Sequence, residues 1–219
     1  MKQKCADKAF ELISDEMTVG LGGGATVALL IKRIEKEQKR IQAVTPSEDT
    51  RALCLEHNIP VLPLEQVEHI DIAFDGCDEL DMDLNALKSC GGIHTREKIA
   101  ASMADEYVLL ADEGKIRKKL DFSYPVTIEV IRSARAYVKK VLEDMGAVVV
   151  ERKADKKAGL VISDDGNYLF EAKFSDVEDI GELACSLNRI PGIVEHSLFF
   201  GIASKAIIGK KDGIDIIEK

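Results

Sequence analysis

The sequence predicts an α/β fold, in which helices cover both faces of a mostly parallel sheet, with a smaller α+β domain attached to it. Short, almost continuously apolar segments alternate with helical patterns through the first 125 residues, which is typical of parallel strands buried on both faces. Near Pro125 the pattern changes to a strand, a helix and a two-armed hairpin. Hydrophobic residues make up 46% and charged residues 32% of the 219-residue chain, an ordinary globular balance.

Apolar periodicity in the first 125 residues predicts alternating helices and strands. The first helix depends on Ala6, Ala9, Phe10 and Ile13, which are spaced to form one apolar face. The predicted helices cover residues 3–14, 26–34, 48–57 and 97–103, and the predicted strands cover residues 17–22, 41–44, 59–62, 70–74 and 107–111. Because the two kinds of segment alternate, the strands should run parallel, and their carboxyl ends should meet at the edge where such sheets bind ligands.

Residues 126–198 form the predicted smaller domain. Its predicted strands and hairpin arms cover residues 126–130, 147–152, 160–163, 168–172 and 192–199, and its predicted helices cover residues 134–145 and 177–187. If the first hairpin arm belongs to a long strand pair, the order βαββαβ is that of a ferredoxin-like domain. The apolar segments 204–209 and 213–217 should return to the main sheet, so the predicted main domain comprises residues 1–125 and 199–219.

Composition and charge exclude several classes of function. The net charge of −9 opposes binding to nucleic acid or an anionic membrane, and the absence of Trp argues against base stacking. No apolar run reaches the roughly 18 residues of a membrane-spanning helix. The five Cys and four His lack the spacing of a metal site, and with no signal-like segment at the start we expect reduced thiols in a cytoplasmic protein.

The glycine-rich segment 20–26 follows a predicted strand and opens a predicted helix. Its glycines let the backbone approach a ligand, and the helix N-terminus offers N–H groups to an anion. A phosphate site is the preferred interpretation, and its candidate residues are Gly23, Gly24, Ala25 and Thr26. A dinucleotide site would need an acidic residue after the second strand, where residues 44–47 have none. A tight turn without a ligand is the structural alternative.

Polar residues follow two further strands at the same predicted edge. Ser47 and Thr50 come after the second strand, where their hydroxyls can bind a ligand, although Ser47 is also a good helix cap. The residues directly after the strand 70–74 are Asp75, Gly76, Cys77 and Asp78. Glu79 adds a third acid, and acids this close repel one another, which favours a chemical role over an ordinary turn.

Two lysines follow other loops that should reach this edge. Lys88 shortly precedes Gly91 and Gly92, whose backbone can approach a ligand, and Ser89, Cys90 and Gly91 are candidate substrate-binding residues of this loop. Lys115 follows another predicted strand and by itself would be an ordinary surface lysine. Glycine-rich, hydroxyl, carboxylate and lysine loops thus converge on the carboxyl ends of several strands, as an α/β active site requires.

Glu97 lies in the first turn of a predicted helix. Thr95 is the expected cap of this helix, which should begin at Arg96. The helix dipole favours a carboxylate in that turn. The structural alternative is a charged first turn exposed to solvent.

These segments together resemble the ribose-5-phosphate isomerase type A family over nearly the whole chain. The matching segments are VGLGGGAT, PSEDT, FDGCDELD, KSCGG followed by REK, ADEGK, SDDGNY and PGIVEHSLF. The resemblance implies a Rossmann-like main domain, a ferredoxin-like smaller domain and a homodimer or homotetramer. It also implies a phosphorylated-sugar substrate, no metal or cofactor, and a place in the non-oxidative pentose phosphate pathway.

The resemblance also implies roles for individual residues. Glu97 would be the general base, and Asp75, Asp78 and Lys88 would assist ring opening and stabilise the intermediate. The substrate and its phosphate would be held by Gly23 to Thr26, Lys88 to Gly91 and Lys115.

Three departures from the family pattern leave alternatives open. Gly23 and Ala25 lack the hydroxyls that are common there, Ser89 and Cys90 interrupt a glycine run, and Pro46 replaces a usual Thr. The alternatives are an isomerase or lactonase for another phosphorylated sugar and a sensor that binds a sugar phosphate without catalysis. A separate hypothesis is that Lys88 lowers the thiol pKa of Cys77 and Cys90, against the simpler interpretation that both only fill small spaces.

Overall fold

The computed structural model describes residues 1–156, 158–175 and 177–219, and these residues form six α-helices and fourteen β-strands. The helices are α1 (Lys2–Phe10), α2 (Ala25–Lys36), α3 (Glu48–Glu56), α4 (His94–Met103), α5 (Arg135–Asp144) and α6 (Ile180–Asn188). The strands of the first half are β1 (Thr18–Leu21), β2 (Gln42–Val44), β3 (Val61–Leu62), β4 (Ile70–Gly76), β5 (Glu79–Leu80), β6 (Ala86–Leu87) and β7 (Ala104–Asp112). The later strands are β8 (Val126–Val130), β9 (Val148–Glu151), β10 (Tyr168–Lys173), β11 (Ile193–His196), β12 (Leu198–Phe199), β13 (Lys205–Gly209) and β14 (Ile214–Glu218).

The main sheet has seven strands in the order β14-β13-β7-β4-β1-β2-β3. All neighbouring pairs are parallel except β13 and β14, which are antiparallel at one edge. One apolar core lies between this sheet and α1, α2 and α3, and another lies beneath α4. Adjacent residues of β4 serve both cores, since Phe74 belongs to the first and Ala73 to the second. The prediction of a mostly parallel sheet with helices on both faces is therefore confirmed.

The second sheet has four antiparallel strands in the order β11-β8-β10-β9. Helices α5 and α6 pack on it through an apolar core that includes Val138, Leu142 and Leu187 together with Ile128 and Phe170 of the strands. Along the chain these elements follow the order βαββαβ, which confirms the ferredoxin-like arrangement. The division into domains at residues 126 and 198 stays a prediction.

A third, three-stranded sheet, β12-β6-β5, connects the two larger ones. The predicted single strand 192–199 is divided at Ser197, because residues 193–196 pair with β8 whereas residues 198–199 pair with β6. The backbone oxygen of Ser197 accepts a hydrogen bond of 3.0 Å from the N–H of Lys88. Ser197 is also tied to Thr127 of β8 by two further hydrogen bonds of 2.8 Å. Two-residue strands such as β5 and β6 have no measurable periodicity, which is why the sequence did not indicate them.

Several predicted boundaries were wrong for local reasons. The arm 160–163 forms only isolated pairs, Lys153 with Leu160 and Ile162 with Tyr168. Helix α6 begins at Ile180 rather than at residue 177, because the Asp179 side chain accepts from the N–H of Glu182.

Helix α4 begins two residues earlier than predicted. It starts at His94 rather than Arg96, and its N-cap is Ile93. Thr95 therefore lies inside the helix and does not cap it; its hydroxyl donates to the carboxylate of Glu129 instead. The error arose because a threonine beside a charged first turn satisfies the capping pattern whether or not its hydroxyl is needed elsewhere. None of the described helices combines the length and apolar character that crossing a bilayer requires.

Candidate active site

A cavity of about 460 Å³ opens at the edge where the carboxyl ends of β1, β2 and β4 meet. It is lined by Gly23, Gly24, Ser47, Glu48, Asp49, Asp75, Gly76, Cys77, Asp78, Lys88, Gly91, Ile93, Glu97, Lys115 and Asp164. The structure thus brings most of the candidate residues from the sequence into one wall. The exceptions are Ala25, Thr26, Thr50, Ser89 and Cys90, which do not line the cavity.

Three buried charged side chains meet at the base of this cavity. The Lys88 ammonium nitrogen lies 2.9 Å from Asp75 Oδ2 and 3.2 Å from Glu97 Oε1. It also donates a hydrogen bond of 2.6 Å to the backbone oxygen of Gly76. The side chains of Lys88, Asp75 and Glu97 are only 5%, 4% and 8% exposed. One cation is therefore shared by two carboxylates in a place from which water is largely excluded.

Separate elements position these three side chains. Asp75 lies near the end of β4, whereas the sequence placed it after the strand. Lys88 directly follows β6, whose position is set by pairing with β5 and β12. Glu97 lies on the buried face of α4 together with His94 and Ala101. The charged group therefore forms only when the main sheet, the small third sheet and α4 are all in place.

Asp75 is held in one orientation by its surroundings. Its Oδ1 accepts a 2.7 Å hydrogen bond from the N–H of Gly76, and its Oδ2 accepts one of 3.3 Å from the Tyr107 hydroxyl. The backbone of Gly22 passes so close that a Cβ atom there would lie 2.1 Å from the Asp75 carboxylate. The glycine in the first loop is consequently required by the packing of a catalytic candidate.

The buried charges shift the pKa values of Glu97 and Lys88. Burial, reinforced by the nearby Asp75 carboxylate, raises the pKa of Glu97 to about 8, although Lys88 opposes that shift. Burial would lower the pKa of Lys88, but Asp75 and Glu97 outweigh burial and hold the pKa above its ordinary value. Glu97 can therefore hold or release a proton near neutral pH, which is the property that general acid–base catalysis requires of a side chain.

Asp78 organises the loop that follows Lys88. Its Oδ2 accepts hydrogen bonds from the N–H groups of Ser89 at 2.6 Å and Cys90 at 2.9 Å. The Ser89 hydroxyl donates to the backbone oxygen of Pro125. Ser89 and Cys90 thus support a cavity-lining carboxylate through their backbone. The remaining acid of this segment, Glu79, is fully buried and binds the loop 121–123, so its role is structural.

The glycine-rich loop forms the opposite end of the cavity. Gly24 has a φ of 100°, a conformation that favours glycine, and helix α2 begins at the next residue. The first N–H groups of a helix lack partners within it, so this end offers donors to an anion. The Thr50 hydroxyl donates to the backbone oxygen of Gly22 at 2.7 Å and supports the loop from behind.

Ser47 and Lys115 complete this end of the cavity. Ser47 lines the cavity and also caps α3, because its hydroxyl oxygen accepts from the N–H of Thr50 at 3.3 Å. The interpretation of Ser47 as a helix cap is therefore compatible with its interpretation as a ligand-binding residue. Lys115 ends a short 3₁₀ turn, and its ammonium donates to the backbone oxygen of Cys77 beside the cavity.

The thiols beside the cavity are not activated. Burial raises the pKa of Cys77 to about 12 and that of Cys90 to about 11. Lys115 and Lys88 lower the pKa of Cys77, and Arg152 and Lys115 lower that of Cys90, but burial outweighs these charges. Neither thiol therefore has the depressed pKa that the hypothesis of reactive cysteines requires.

Sequence reasoning missed several residues of the site. Glu48 and Asp49 are the first residues of the predicted helix 48–57, and their position after Ser47 at a strand end was a signal that could also have placed them at the cavity. Tyr107 reaches Asp75 only because β7 lies beside β4. Asp164 comes from the turn before β10 in the other sheet, and nothing local in the sequence connects it to the cavity.

Among the described residues, one group has the spacing of a possible metal site, and it lies away from the cavity. His69, Asp71 and Asp105 are close together near the amino ends of β4 and β7. Two of them already form a contact, since His69 Nε2 lies 3.0 Å from Asp105 Oδ1. Asp71 accepts a hydrogen bond from the N–H of Thr18. This group thus lies at the amino ends of the strands, opposite the carboxyl ends where the cavity opens.

Comparisons with known proteins extend over the whole chain. Residues 42–213 match the family model described as ribose 5-phosphate isomerase A (phosphoriboisomerase A). Ribose-5-phosphate isomerase A of Thermococcus kodakarensis is 40% identical, and the match covers 100% of this chain and 98% of that protein.

Two solved structures have the same fold. The structure of ribose 5-phosphate isomerase A from Methanocaldococcus jannaschii superposes with a TM-score of 0.93 at 38% identity and covers 100% of this chain and 98% of that chain. A D-ribose-5-phosphate isomerase in complex with phospho-erythronic acid superposes with a TM-score of 0.95 at 36% identity, over 100% of this chain and 97% of that chain.

Proposed function

The chain belongs to the ribose 5-phosphate isomerase A family, and we propose that it interconverts D-ribose 5-phosphate and D-ribulose 5-phosphate in the cavity between Lys88 and the glycine-rich loop. The observation that carries this proposal is the buried contact of 3.2 Å between the Glu97 carboxylate and the Lys88 ammonium. A structural relative that was solved with phospho-erythronic acid, a phosphorylated sugar acid, supports a phosphorylated sugar as the ligand.

Glu97 is the proposed general base. Conversion of the aldose to the ketose removes the proton from C2 and places a proton on C1, through an enediolate. Because the two carbons are neighbours, one carboxylate between them can take the first proton and return it. A pKa of about 8 supports this role, since the group is then neither too weak a base nor too weak an acid near neutral pH.

Lys88 is proposed to stabilise the negative charge that develops on the enediolate oxygens. Its ammonium is fixed by Asp75, Glu97 and the Gly76 carbonyl before the substrate arrives. A fixed cation in a site with little water contributes far more to the stability of an anionic transition state than one in solvent.

Asp75 and Asp78 are proposed to exchange protons with the ring oxygen and hydroxyls of the sugar during ring opening. Both carboxylates line the cavity, and each is oriented by backbone N–H groups. Preorganised carboxylates of this kind lose little freedom when the substrate binds.

The phosphate is proposed to bind at the glycine-rich loop. The proposed donors that line the cavity are the N–H groups of Gly23 and Gly24, the Ser47 hydroxyl and the Lys115 ammonium, with Gly76, Cys77 and Gly91 shaping the wall. Ala25 and Thr26 begin α2 beside them and are proposed to contribute only backbone N–H groups. A helix N-terminus is well suited to a phosphate because its free N–H groups and dipole both favour an anion. Backbone donors of this kind can replace the hydroxyls that are missing at Gly23 and Ala25.

We also propose a cytoplasmic homodimer or homotetramer that binds no nucleic acid. The free thiols of all five Cys support a cytoplasmic location. The net charge of −9 opposes binding to nucleic acid. Light scattering coupled to size-exclusion chromatography would measure the oligomeric state.

The decisive test is the conversion of ribose 5-phosphate into ribulose 5-phosphate in the presence of EDTA and without added cofactor. Glu97→Gln keeps the size of the side chain but removes the base, so turnover should fall to background while the sugar phosphate still binds. Glu143→Gln, on the outer helix α5, is a matched control that should retain full activity. Near-normal turnover by Glu97→Gln would contradict the assignment of the base. Wild-type protein that binds the sugar phosphate without converting it would instead support the sensor.

A further inference from the structure

The first turn of α4, which carries Glu97, has no side-chain cap of its own. Its N-cap residue is the apolar Ile93, whose side chain makes no capping hydrogen bond. Helix ends without caps fray readily, because up to four N–H groups lack partners. Glu97 is the fourth residue of this helix, so another contact has to hold it in place.

A buried carboxylate from the other sheet makes that contact. Glu129 lies on β8 and is only 2% exposed. Its Oε2 accepts from the hydroxyl of Thr95, the second residue of α4. Its Oε1 accepts from the Ser163 hydroxyl at 2.6 Å and from the Asn167 side-chain amide at 2.8 Å. An ionised carboxylate only accepts hydrogen bonds, so three donors satisfy it and offset much of the free energy that burying the charge requires.

The same carboxylate also holds part of the cavity wall. Ser163 and Asn167 close the turn between them, since the N–H of Ser163 donates a hydrogen bond of 2.9 Å to the backbone oxygen of Asn167. Asp164 of this turn lines the cavity. Arg96 of α4 pairs with Asp165 at 2.8 Å, which gives the turn and the helix a second link at the surface.

The body of α4 is held independently of Thr95. One turn further on, the Lys98 ammonium donates to Glu195 Oε1 at 2.7 Å and to the backbone oxygens of His196 at 2.7 Å and Leu198 at 3.1 Å. Loss of the Thr95 contact should therefore leave the helix docked and change only its first turn.

We propose that Glu129 is a positioning residue for Glu97, which acts through Thr95 to keep the Glu97 carboxylate within 3.2 Å of the Lys88 ammonium. The proposal deepens the proposed isomerase function and depends on it. The ferredoxin-like part of the chain thereby supplies a group on which the geometry of the reaction depends, although it donates no base or acid to the substrate.

Matched variants of the two partners test the proposal. Thr95→Val removes the hydroxyl with almost no change in shape, and Glu129→Gln keeps the size of the side chain but replaces an acceptor by an amide. Each should lower kcat about ten- to a hundredfold, with a much smaller change in KM, because displacing a catalytic group by about 1 Å has effects of this size. Thr95→Ser keeps the hydroxyl and should keep most of the activity. Ser102→Ala, which removes an exposed hydroxyl from the same helix, should behave as wild type.

The double variant decides whether the two residues act as one unit. Thr95→Val combined with Glu129→Gln should be no slower than Glu129→Gln alone. The proposal would be overturned if the loss of kcat in the double variant equalled the product of the losses in the two single variants. It would also be overturned if kcat were unchanged in Thr95→Val. If Glu129→Gln does not fold, the kcat values of Thr95→Val and Thr95→Ser still test the proposal. The proposal requires a low kcat in Thr95→Val and a nearly normal kcat in Thr95→Ser.

Hydrogen exchange gives a measurement that does not depend on turnover. The N–H of Glu97 donates to the backbone oxygen of Ile93 at 3.1 Å, and its exchange with deuterium should be faster in Thr95→Val than in wild type or Ser102→Ala. Unchanged exchange would count against Glu129 as the residue that fixes this turn. A wild-type protein that fails to convert ribose 5-phosphate would refute the proposed function, while the exchange data would still test the positioning.

Discussion

The two ends of the cavity are built in different ways. At one end, Asp75, Lys88 and Glu97 are buried side chains that come from three separate elements and hold one another by charge. At the other end, the loop 22–26 presents glycine backbone and a helix N-terminus, supported from behind by Thr50. The first end depends on the identity of each side chain, whereas the second depends on the path of the backbone. The hydroxyls that the family resemblance led us to expect at Gly23 and Ala25 are absent from the second end, whereas the proposed acid–base group of Asp75, Lys88 and Glu97 at the first end is assembled.

Among changes that leave the proposed base Glu97 in place, the largest effect on kcat should follow from removing the shared cation. Lys88→Met should lower kcat by about a thousandfold, since the loss of one preorganised donor to a developing oxyanion reduces rates by a factor of this order. It would also leave the Asp75 and Glu97 carboxylates facing each other without the ammonium between them. Steady-state kinetics would measure the loss, with Lys210→Met as the control because that lysine is at the surface. A kcat within a few fold of wild type would remove Lys88 from the mechanism.

Two neighbouring glycines provide the sharpest test of the difference between the ends. A Cβ at Gly22 would lie 2.1 Å from the Asp75 carboxylate, but a Cβ at Gly23 would meet nothing closer than Ser47 Oγ at 3.9 Å. Gly22→Ala should therefore displace Asp75 and lower kcat about ten- to a hundredfold, while Gly23→Ala should change kcat far less. Equal kcat values for the two variants would show that the loop does not control the charged group.

The pH dependence of kcat/KM should reflect only the end of the cavity that holds the buried charged side chains. Glu97 acts as a base only when it is ionised, and burial raises its pKa to about 8. The value of kcat/KM should therefore rise as the pH increases through about 8 and level off above it, because this ratio reports on the free enzyme. A profile that is already flat from about pH 6 upward would mean that Glu97 has an ordinary carboxyl pKa.

The smallest effect is expected at the phosphate end. Gly23→Ser should fit, since the nearest atom to its Cβ would be 3.9 Å away, and it would add a hydroxyl to the proposed phosphate site. A hydrogen bond to a charged group contributes roughly 1.5–3 kcal/mol, so KM should fall by about tenfold with kcat unchanged. An unchanged KM would place the phosphate elsewhere in the cavity. Testing the same variant with other phosphorylated sugars would examine whether the missing hydroxyls alter substrate choice.

Local patterns in the sequence were sufficient for the architecture and for many of the residues that line the cavity. Alternating apolar strands and helices indicated the parallel sheet, and the order βαββαβ indicated the ferredoxin-like part. The acids at Asp75 and Asp78 and the glycines at Gly23 and Gly24 stood out because they lie at or just after the ends of apolar strands. Such signals are local, since each requires only the periodicity of one segment and the residue types that follow it.

Only the tertiary structure decided which of these groups meet. Lys88 lies between Asp75 and Glu97 because β6 pairs with β12, and Tyr107 reaches Asp75 because β7 lies beside β4. The contact between Thr95 and Glu129, which replaced the expected helix cap, likewise joins elements that are distant in the chain. Periodicity states which face of a segment is buried, but strand order and register determine what that face buries against, and these depend on the packing of the whole chain.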